Sequence, residues 1–375
     1  MSLPGLALRD LPATVPSILR WNASADVHHQ VWRHHLELLT ERWSDALTAF
    51  VNAHIGLRLA SLADELTAEG LNRLLLAPET GRRLLHGPAT DLVFFLESVC
   101  AELCRANPRR VVAEPVWTAL GDAYFPTGVH RSSESTSRWD AEQPFEAPRL
   151  LEHVPVDCVS PFAARATGLV GFPFVEMPAE EIRAAIRKLV LALEAIAEVC
   201  GPAVDMLRAS TRVVIIRKDP GAPTMFSSFS ADQLVGRLAL VNVQSATCDA
   251  ALAADALIHE AIHSCVYAME ECVPLVKDRL AAELETVISP WSGRALPVHT
   301  FFHACLVWFG LSHFWRLALD AGAFPRARVQ RLLGRSRRGF HEPGFDVAMT
   351  TALHHLSPEW HCIVGLVAEA REMEL

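Results

Sequence analysis

One segment that carries two histidines four positions apart constrains this sequence more than any other. It opens at Asp249, which suits a helix N-cap, continues through an Ala-rich stretch to His259-Glu-Ala-Ile-His263, and stops before Pro274. Four helical residues turn through about 400°, so both imidazoles project from one face and can grip one ion. The sequence therefore predicts a helix with His259 and His263 as metal ligands and Glu260 beside the open side of the metal.

Helical periodicity dominates the rest of the chain. Apolar residues recur at helical spacing over 27–54, 57–85 and 91–105, so the first third is predicted to be mainly helical. A further helix is predicted over 179–200, because Pro178 precedes it, two glutamates occupy its first turn, and Gly-Pro follows it.

Two buried strands are predicted directly before the motif helix, at 212–217 and 234–243. The order strand, strand, motif helix is typical of zincin-type metalloenzymes. We therefore predict an α+β fold, predominantly helical, with a zincin-like strand–strand–HExxH helix core and an N-terminal helical region. The predicted parts are a helical region at 1–126, a polar linker or mobile loop at 127–148 and a catalytic domain at 149–375.

Composition excludes several classes of function. A net charge of −9 argues against nucleic-acid binding. A membrane span needs about 18 uninterrupted apolar residues, and the sequence contains no such run. Nine cysteines without a C-x-x-C pair favour reduced thiols in a cytoplasmic protein. One basic run stands out and suits either a solvated helix face, which we favour, or contact with an acidic peptide or anionic small molecule; its arginines are Arg326, Arg328, Arg331, Arg335, Arg337 and Arg338.

A third metal ligand is expected from a separate element downstream. A helix is predicted to begin at a proline just before His299, and His299 and His303 share one of its faces. We predict that one of them is the ligand and favour His303 over His299; His299 would then face the cofactor or substrate or pack in the core. Glu283 and its neighbour Glu285 are the alternatives, because Glu283 follows His263 by 20 residues, an interval used by glutamate-ligand metalloproteases.

Three segments in order resemble the HExxH-motif peptide-modification proteins that act on ribosomally made, post-translationally modified peptides. The resemblance covers roughly residues 150–320. The segments are Ser227-Ser-Phe-Ser230 with Gly236-Arg-Leu-Ala-Leu240, then Leu257-Ile-His-Glu-Ala-Ile-His-Ser264, then Ser289-Pro-Trp to His303-Ala. The resemblance implies an iron(II)- and 2-oxoglutarate-dependent β-hydroxylase whose substrate is a precursor peptide and whose iron ligands are His259, His263 and His303.

Such an enzyme also uses dioxygen and needs a cation for the distal carboxylate of 2-oxoglutarate. Arg294 is the first candidate, and Arg237 is the second, with Ser228 as a possible hydroxyl donor. An imidazole-rich ligand set suits zinc as well as iron. The alternative is therefore a zinc metallopeptidase in which Glu260 is the general base for a metal-bound water.

Overall fold

Helices make up most of the protein in the computed structural model, which describes residues 6–50, 54–87, 91–128, 139–165 and 175–373. Within these ranges the α-helices are α1 (Val15–Leu19), α2 (Ala25–Phe50), α3 (His54–Ala63), α4 (Ala68–Leu75), α5 (Pro78–Gly81), α6 (Leu92–Ala106), α7 (Pro161–Ala164), α8 (Ala179–Val199), α9 (Gly201–Ser210), α10 (Ala250–Cys272), α11 (Arg279–Leu284), α12 (Val298–Ala321), α13 (Arg326–His341), α14 (Phe345–Leu353) and α15 (Cys362–Glu372). Short helical turns of other types are Leu8–Thr14, Arg82–His86 and Pro358–Trp360.

The strands are short and form three small sheets among the described residues. They are β1 (Val116–Trp117), β2 (Ala123–Phe125), β3 (Phe145–Glu146), β4 (Arg149–Leu150), β5 (Val154–Asp157), β6 (Val213–Arg217), β7 (Ser227–Phe229), β8 (Arg237–Val241), β9 (Thr286–Ile288) and β10 (Ala295–Pro297). The largest sheet has the order β4-β5-β6-β8-β7, and only its β5–β6 and β6–β8 pairs are parallel. The fold is thus α+β and predominantly helical, as predicted.

The chain divides into two compact units, each assembled from separated stretches of sequence. The first unit contains residues 1–35, 191–210 and 250–375, and the second contains 36–190 and 211–249. The first unit is helical apart from the β9–β10 hairpin, whereas β1 to β8 all belong to the second. The predicted division at 1–126, 127–148 and 149–375 stays a prediction.

The first unit is built around α10 and α12, which pack against each other. Between Phe301 and Trp315, α12 contributes large side chains that are fully removed from solvent, so this helix forms much of the core. A Cβ atom added at Gly310 would lie 2.7 Å from Ile262 Cδ1 of α10, and the Gly310 carbonyl accepts a 2.8 Å hydrogen bond from Trp21 Nε1. The missing side chain at Gly310 therefore allows α10 and α12 to approach closely.

The elements around the motif agree with the sequence-based expectations. The predicted helix at 179–200 is α8, the two predicted strands are β6 and β8, and the motif helix is α10. Helix α12 begins directly after Pro297 and ends at Ala321; the next residue, Gly322, has a φ of +73°, the left-handed conformation common after a helix.

The predicted linker at 127–148 lies partly outside the described residues, which omit 129–138. Its described C-terminal part is structured in one place, since β3 pairs with β2. Across the part of the chain that the structure describes, no helix has both the length and the apolar character needed to cross a bilayer.

Candidate metal centre

One face of α10 carries a strip of polar side chains through the core of the first unit. Between Ala253 and Met269, every residue of this helix is buried except His259, His263 and Tyr267. These three lie four residues apart, which places them above one another on one face. The histidines thus occupy the strip of α10 that a solute can reach.

The HExxH residues are close enough to share one ion. One ligand atom each from His259, Glu260 and His263 lies within 4.8 Å of the others, and the two imidazole rings are 5.1 Å apart. Ligands of a zinc ion lie about 2.0–2.2 Å from it, so one ion can reach ligand atoms this closely grouped. Glu260 is only 2% exposed, so its carboxylate is held inside the unit.

Helix α12 brings two further histidines to this strip. His303 stacks on His263 with ring centroids 5.6 Å apart, and His299 lies 4.7 Å from His303. Both nitrogens that face α10 bind Glu270: His299 Nε2 lies 2.5 Å from Oε1, and His303 Nε2 lies 3.0 Å from Oε2. We call the four histidines and Glu270 the histidine cluster.

The predicted third ligand therefore sits beside the motif, but in a second group of ligand atoms. His303 is grouped within 4.8 Å with Glu270 and His299 rather than with His259 and Glu260. The structure brings His303 next to His263, and its role as the third ligand stays a prediction.

Two imidazoles of the cluster are held neutral by their surroundings. Burial lowers the pKa of His263, and the neighbouring imidazoles lower it further. Burial also lowers the pKa of His303 by more than the hydrogen bond to Glu270 raises it. The Nδ1 atoms of His263 and His303 are buried without a hydrogen-bond partner among the described residues. Neutral imidazoles with buried, unpaired nitrogens are suited to binding a metal.

Glu270 was missed from the sequence, although a signal was available. It lies seven residues after His263 and so returns to the same face of α10. Burial alone would raise its pKa, but hydrogen bonds from His299 and His303 outweigh burial and lower it. Glu270 is therefore an ionised acceptor that fixes the orientation of both α12 histidines.

Arg279 is a second residue that the sequence did not single out. Its Nη1 lies 3.0 Å from Glu270 Oε1 and 2.7 Å from His299 Nε2, and its Nε donates to Glu283 Oε1 at 2.5 Å. The guanidinium of Arg279 is therefore in direct contact with the histidine cluster. Glu283, one alternative third ligand, is thus occupied by an ion pair with Arg279.

Arg294, Arg237 and Ser228 are the other residues predicted to bind the cofactor. Arg294 is exposed in the turn between β9 and β10. In the second unit, Arg237 begins β8 and forms an ion pair with Glu79, and Ser228 lies in β7 opposite Leu240.

Two tryptophans and an arginine lie beside His259, at the N-terminal end of the HExxH motif. The Trp308 ring lies 5.7 Å from His259 and stacks on Trp291 at 6.0 Å. The Arg335 guanidinium is 5.2 Å from the Trp308 ring and forms an ion pair with Asp255, one turn before His259. The basic run seen in the sequence is helix α13, and it meets the motif helix through Arg335.

Comparison of the sequence with protein-family models and with curated proteins finds no match.

Proposed function

We propose that this protein is a cytoplasmic metalloenzyme that hydroxylates a side-chain β-carbon of a ribosomally made precursor peptide. The observation that carries the proposal is the close grouping of His259, Glu260 and His263 with His303 stacked against them. Unpaired Nδ1 atoms on His263 and His303 fit a metal with imidazole ligands. The resemblance to the HExxH peptide-modification family supports iron(II), with 2-oxoglutarate and dioxygen as cosubstrates.

His259, His263 and His303 would hold the ion in this proposal. Iron would supply C–H hydroxylation with dioxygen as the oxidant: one oxygen atom would enter the peptide and the other would enter succinate as 2-oxoglutarate loses carbon dioxide. Glu270 accepts the Nε2 proton of His303, which leaves the Nδ1 lone pair of that ring for the ion. Glu260 is buried next to both motif histidines and orients a ligand or a water molecule.

The cation for the distal carboxylate of 2-oxoglutarate has two candidates in the first unit. Arg294 is the one that the sequence favoured, and Arg279 is the one in contact with His299. A guanidinium can bind a carboxylate through two parallel hydrogen bonds. We favour Arg279, because it already lies at the histidine cluster.

A zincin-like core remains part of the proposal. It is supported by the chain order β6, β8 and α10, which is the order strand, strand, motif helix.

The zinc peptidase is the second candidate, and the placement of Glu260 favours it. Its carboxylate is grouped with the two motif histidines, the position that a general base for a metal-bound water requires. A peptidase and an oxygenase would therefore differ in metal and cosubstrate while they share the motif helix.

Anaerobic reconstitution with iron(II), followed by 2-oxoglutarate, separates the two proposals. The hydroxylase proposal predicts the weak visible charge-transfer band of a 2-oxo acid bound to iron, which Glu260→Gln retains. In air, a bound precursor peptide should then gain one oxygen atom, as measured by mass spectrometry. Absence of the band, together with zinc-dependent peptide cleavage that Glu260→Gln abolishes, would replace the hydroxylase with the peptidase.

A further inference from the structure

A third group of side chains that could bind a metal lies on the surface of the first unit, away from the α10 motif in sequence. His355 Nε2 is 2.8 Å from Glu285 Oε2, and His354 Nε2 is 3.4 Å from the same oxygen. The two imidazole rings are 4.0 Å apart, and one ligand atom from each of the three residues lies within 4.8 Å of the others. Two rings adjacent in sequence thus converge on one carboxylate.

The separations match those between ligands of one ion. Donor atoms about 2.1 Å from a tetrahedral zinc ion lie about 3.4 Å from each other. The distance from Glu285 to His354 has this length, and the distance from Glu285 to His355 is somewhat shorter. A hydrogen bond accounts for the shorter contact, but 3.4 Å exceeds the ordinary range for an N–H···O bond. The contact between His354 and Glu285 is an ion-pair distance, and an ion bound between the two side chains would give the same separation.

The backbone holds both sides of the group in place. The Lys277 amide donates to the His355 carbonyl at 2.8 Å, and the Ser357 amide donates to Leu275 at 3.0 Å. On the other side, Glu285 is the C-cap of α11, and its carbonyl accepts from the Val298 amide at 2.9 Å. The three side chains therefore start from fixed positions, which lowers the entropy lost when they bind an ion.

We propose that Glu285, His354 and His355 form a second metal site that takes a divalent transition ion such as zinc, with water in the remaining positions. Two imidazoles and a carboxylate are ligands that zinc accepts, and the exposed side gives the ion a path from solvent, since His354 is 60% exposed. The ion would link the end of α14 to the segment that leads into α12. This proposal does not depend on the function proposed for the motif.

Zinc binding to the full chain tests the proposal, with the motif site removed by His259→Ala and His263→Ala. Equilibrium dialysis of this double variant should still find one bound zinc ion per chain. Adding His354→Ala should raise the Kd by more than about 100-fold, because losing even outer-shell partners of a metal site costs 10–100-fold. His361→Ala, which changes another exposed histidine, is the matched control and should leave the zinc stoichiometry and Kd unchanged.

A second variant guards against a folding effect. Glu285→Gln keeps the size of the side chain and should lose the same ion, while zinc should raise the Tm of the double variant and not that of either triple variant. The proposal is wrong if the double variant binds no zinc, or if His354→Ala and Glu285→Gln bind it as the control does. If this proposal is wrong, the function proposed for the α10 motif is unaffected, because every variant compared lacks His259 and His263.

Discussion

Each unit buries a cluster of ionisable groups. The central carboxylate of one cluster is ionised, whereas two imidazoles of the other are neutral. In the second unit, Asp122 accepts two hydrogen bonds from Arg105, at 2.8 and 2.5 Å, and one each from Thr118 and Arg149. Burial alone would raise the pKa of Asp122, but Arg105 outweighs burial and lowers it, so the pair stays ionised. We call this group the arginine–aspartate cluster.

In the first unit, the histidine cluster keeps His263 and His303 neutral and leaves their Nδ1 atoms unpaired among the described residues. The carboxylate of Asp122 already has charged partners and needs no ligand, whereas the buried Nδ1 lone pairs of two neighbouring imidazoles can bind one. We therefore propose that the arginine–aspartate cluster stabilises the fold and that the histidine cluster binds the metal.

Removal of the Asp122 carboxylate should have the largest effect, because it should lower stability without changing metal binding. Asp122→Ala leaves Arg105 buried without its partner, so we expect the free energy of unfolding to fall by about 3–5 kcal/mol, as for other broken buried pairs. Urea unfolding measures the loss, and iron affinity at native conditions should not change. Glu65→Ala, which breaks the more exposed pair with Arg110, should cost less than about 1 kcal/mol. Equal losses in the two variants would contradict a structural role for the cluster.

The pH dependence of stability should have opposite signs in the two units. Burial lowers the pKa of His28 in the first unit to about 4, so its contribution is full above the unfolded value of 6.5 and is lost on acidification. Burial raises the pKa of Asp157 in the second unit to about 6, so its contribution is lost as pH rises from about 4 to about 6. Each change corresponds to about 3 kcal/mol.

Urea unfolding of metal-free protein between pH 4 and pH 7 measures both effects. His28→Gln should make the rise of stability with pH less steep, and Asp157→Asn should make it steeper. Shifts in the same direction would show that one of the two pKa values is assigned with the wrong sign.

Glu270 should matter for metal affinity more than for stability. Glu270→Gln keeps the shape but removes the charge that orients His299 and His303, so the Kd for iron(II) should rise by about 10–100-fold. Glu369→Gln, on the surface pair with Arg20, is the control. An unchanged Kd in Glu270→Gln would show that the carboxylate does not support the metal site.

The two candidate arginines should give the smallest effect. Arg279→Ala is expected to raise the KM for 2-oxoglutarate at least about tenfold, since it removes a charged hydrogen bond, while Arg294→Ala leaves it within about twofold. Steady-state kinetics with a saturating peptide measures both. The reverse ranking would restore the assignment that the sequence favoured.

The helices around the motif could be predicted from the sequence, because they depend on patterns within short stretches of chain. Periodicity and flanking prolines predicted α8, α10 and α12, because the spacing of apolar residues reports which helix faces are buried. The spacing of His259 and His263 predicted their shared face. Glu270 was accessible by the same rule and was overlooked.

What sequence could not supply depends on tertiary contacts. Arg279 and His299 are 20 residues apart on different elements, so only the packing of α11 against α12 brings them together. The convergence of Glu285 with His354 and His355 spans about 70 residues and is likewise invisible to local patterns. The two compact units are each assembled from distant stretches of chain, which local patterns do not report.

The central claim is that α10 and α12 hold one ion together, and anaerobic iron(II) binding tests it most directly. The protein would carry Glu285→Gln, so that the proposed surface site does not contribute, and His303→Ala would be compared with His313→Gln on the same helix. We predict that His303→Ala weakens iron binding by more than about 100-fold while His313→Gln leaves it unchanged. Equal iron affinity in the two variants would contradict His303 as the third ligand and would leave His299 as the other candidate imidazole on α12.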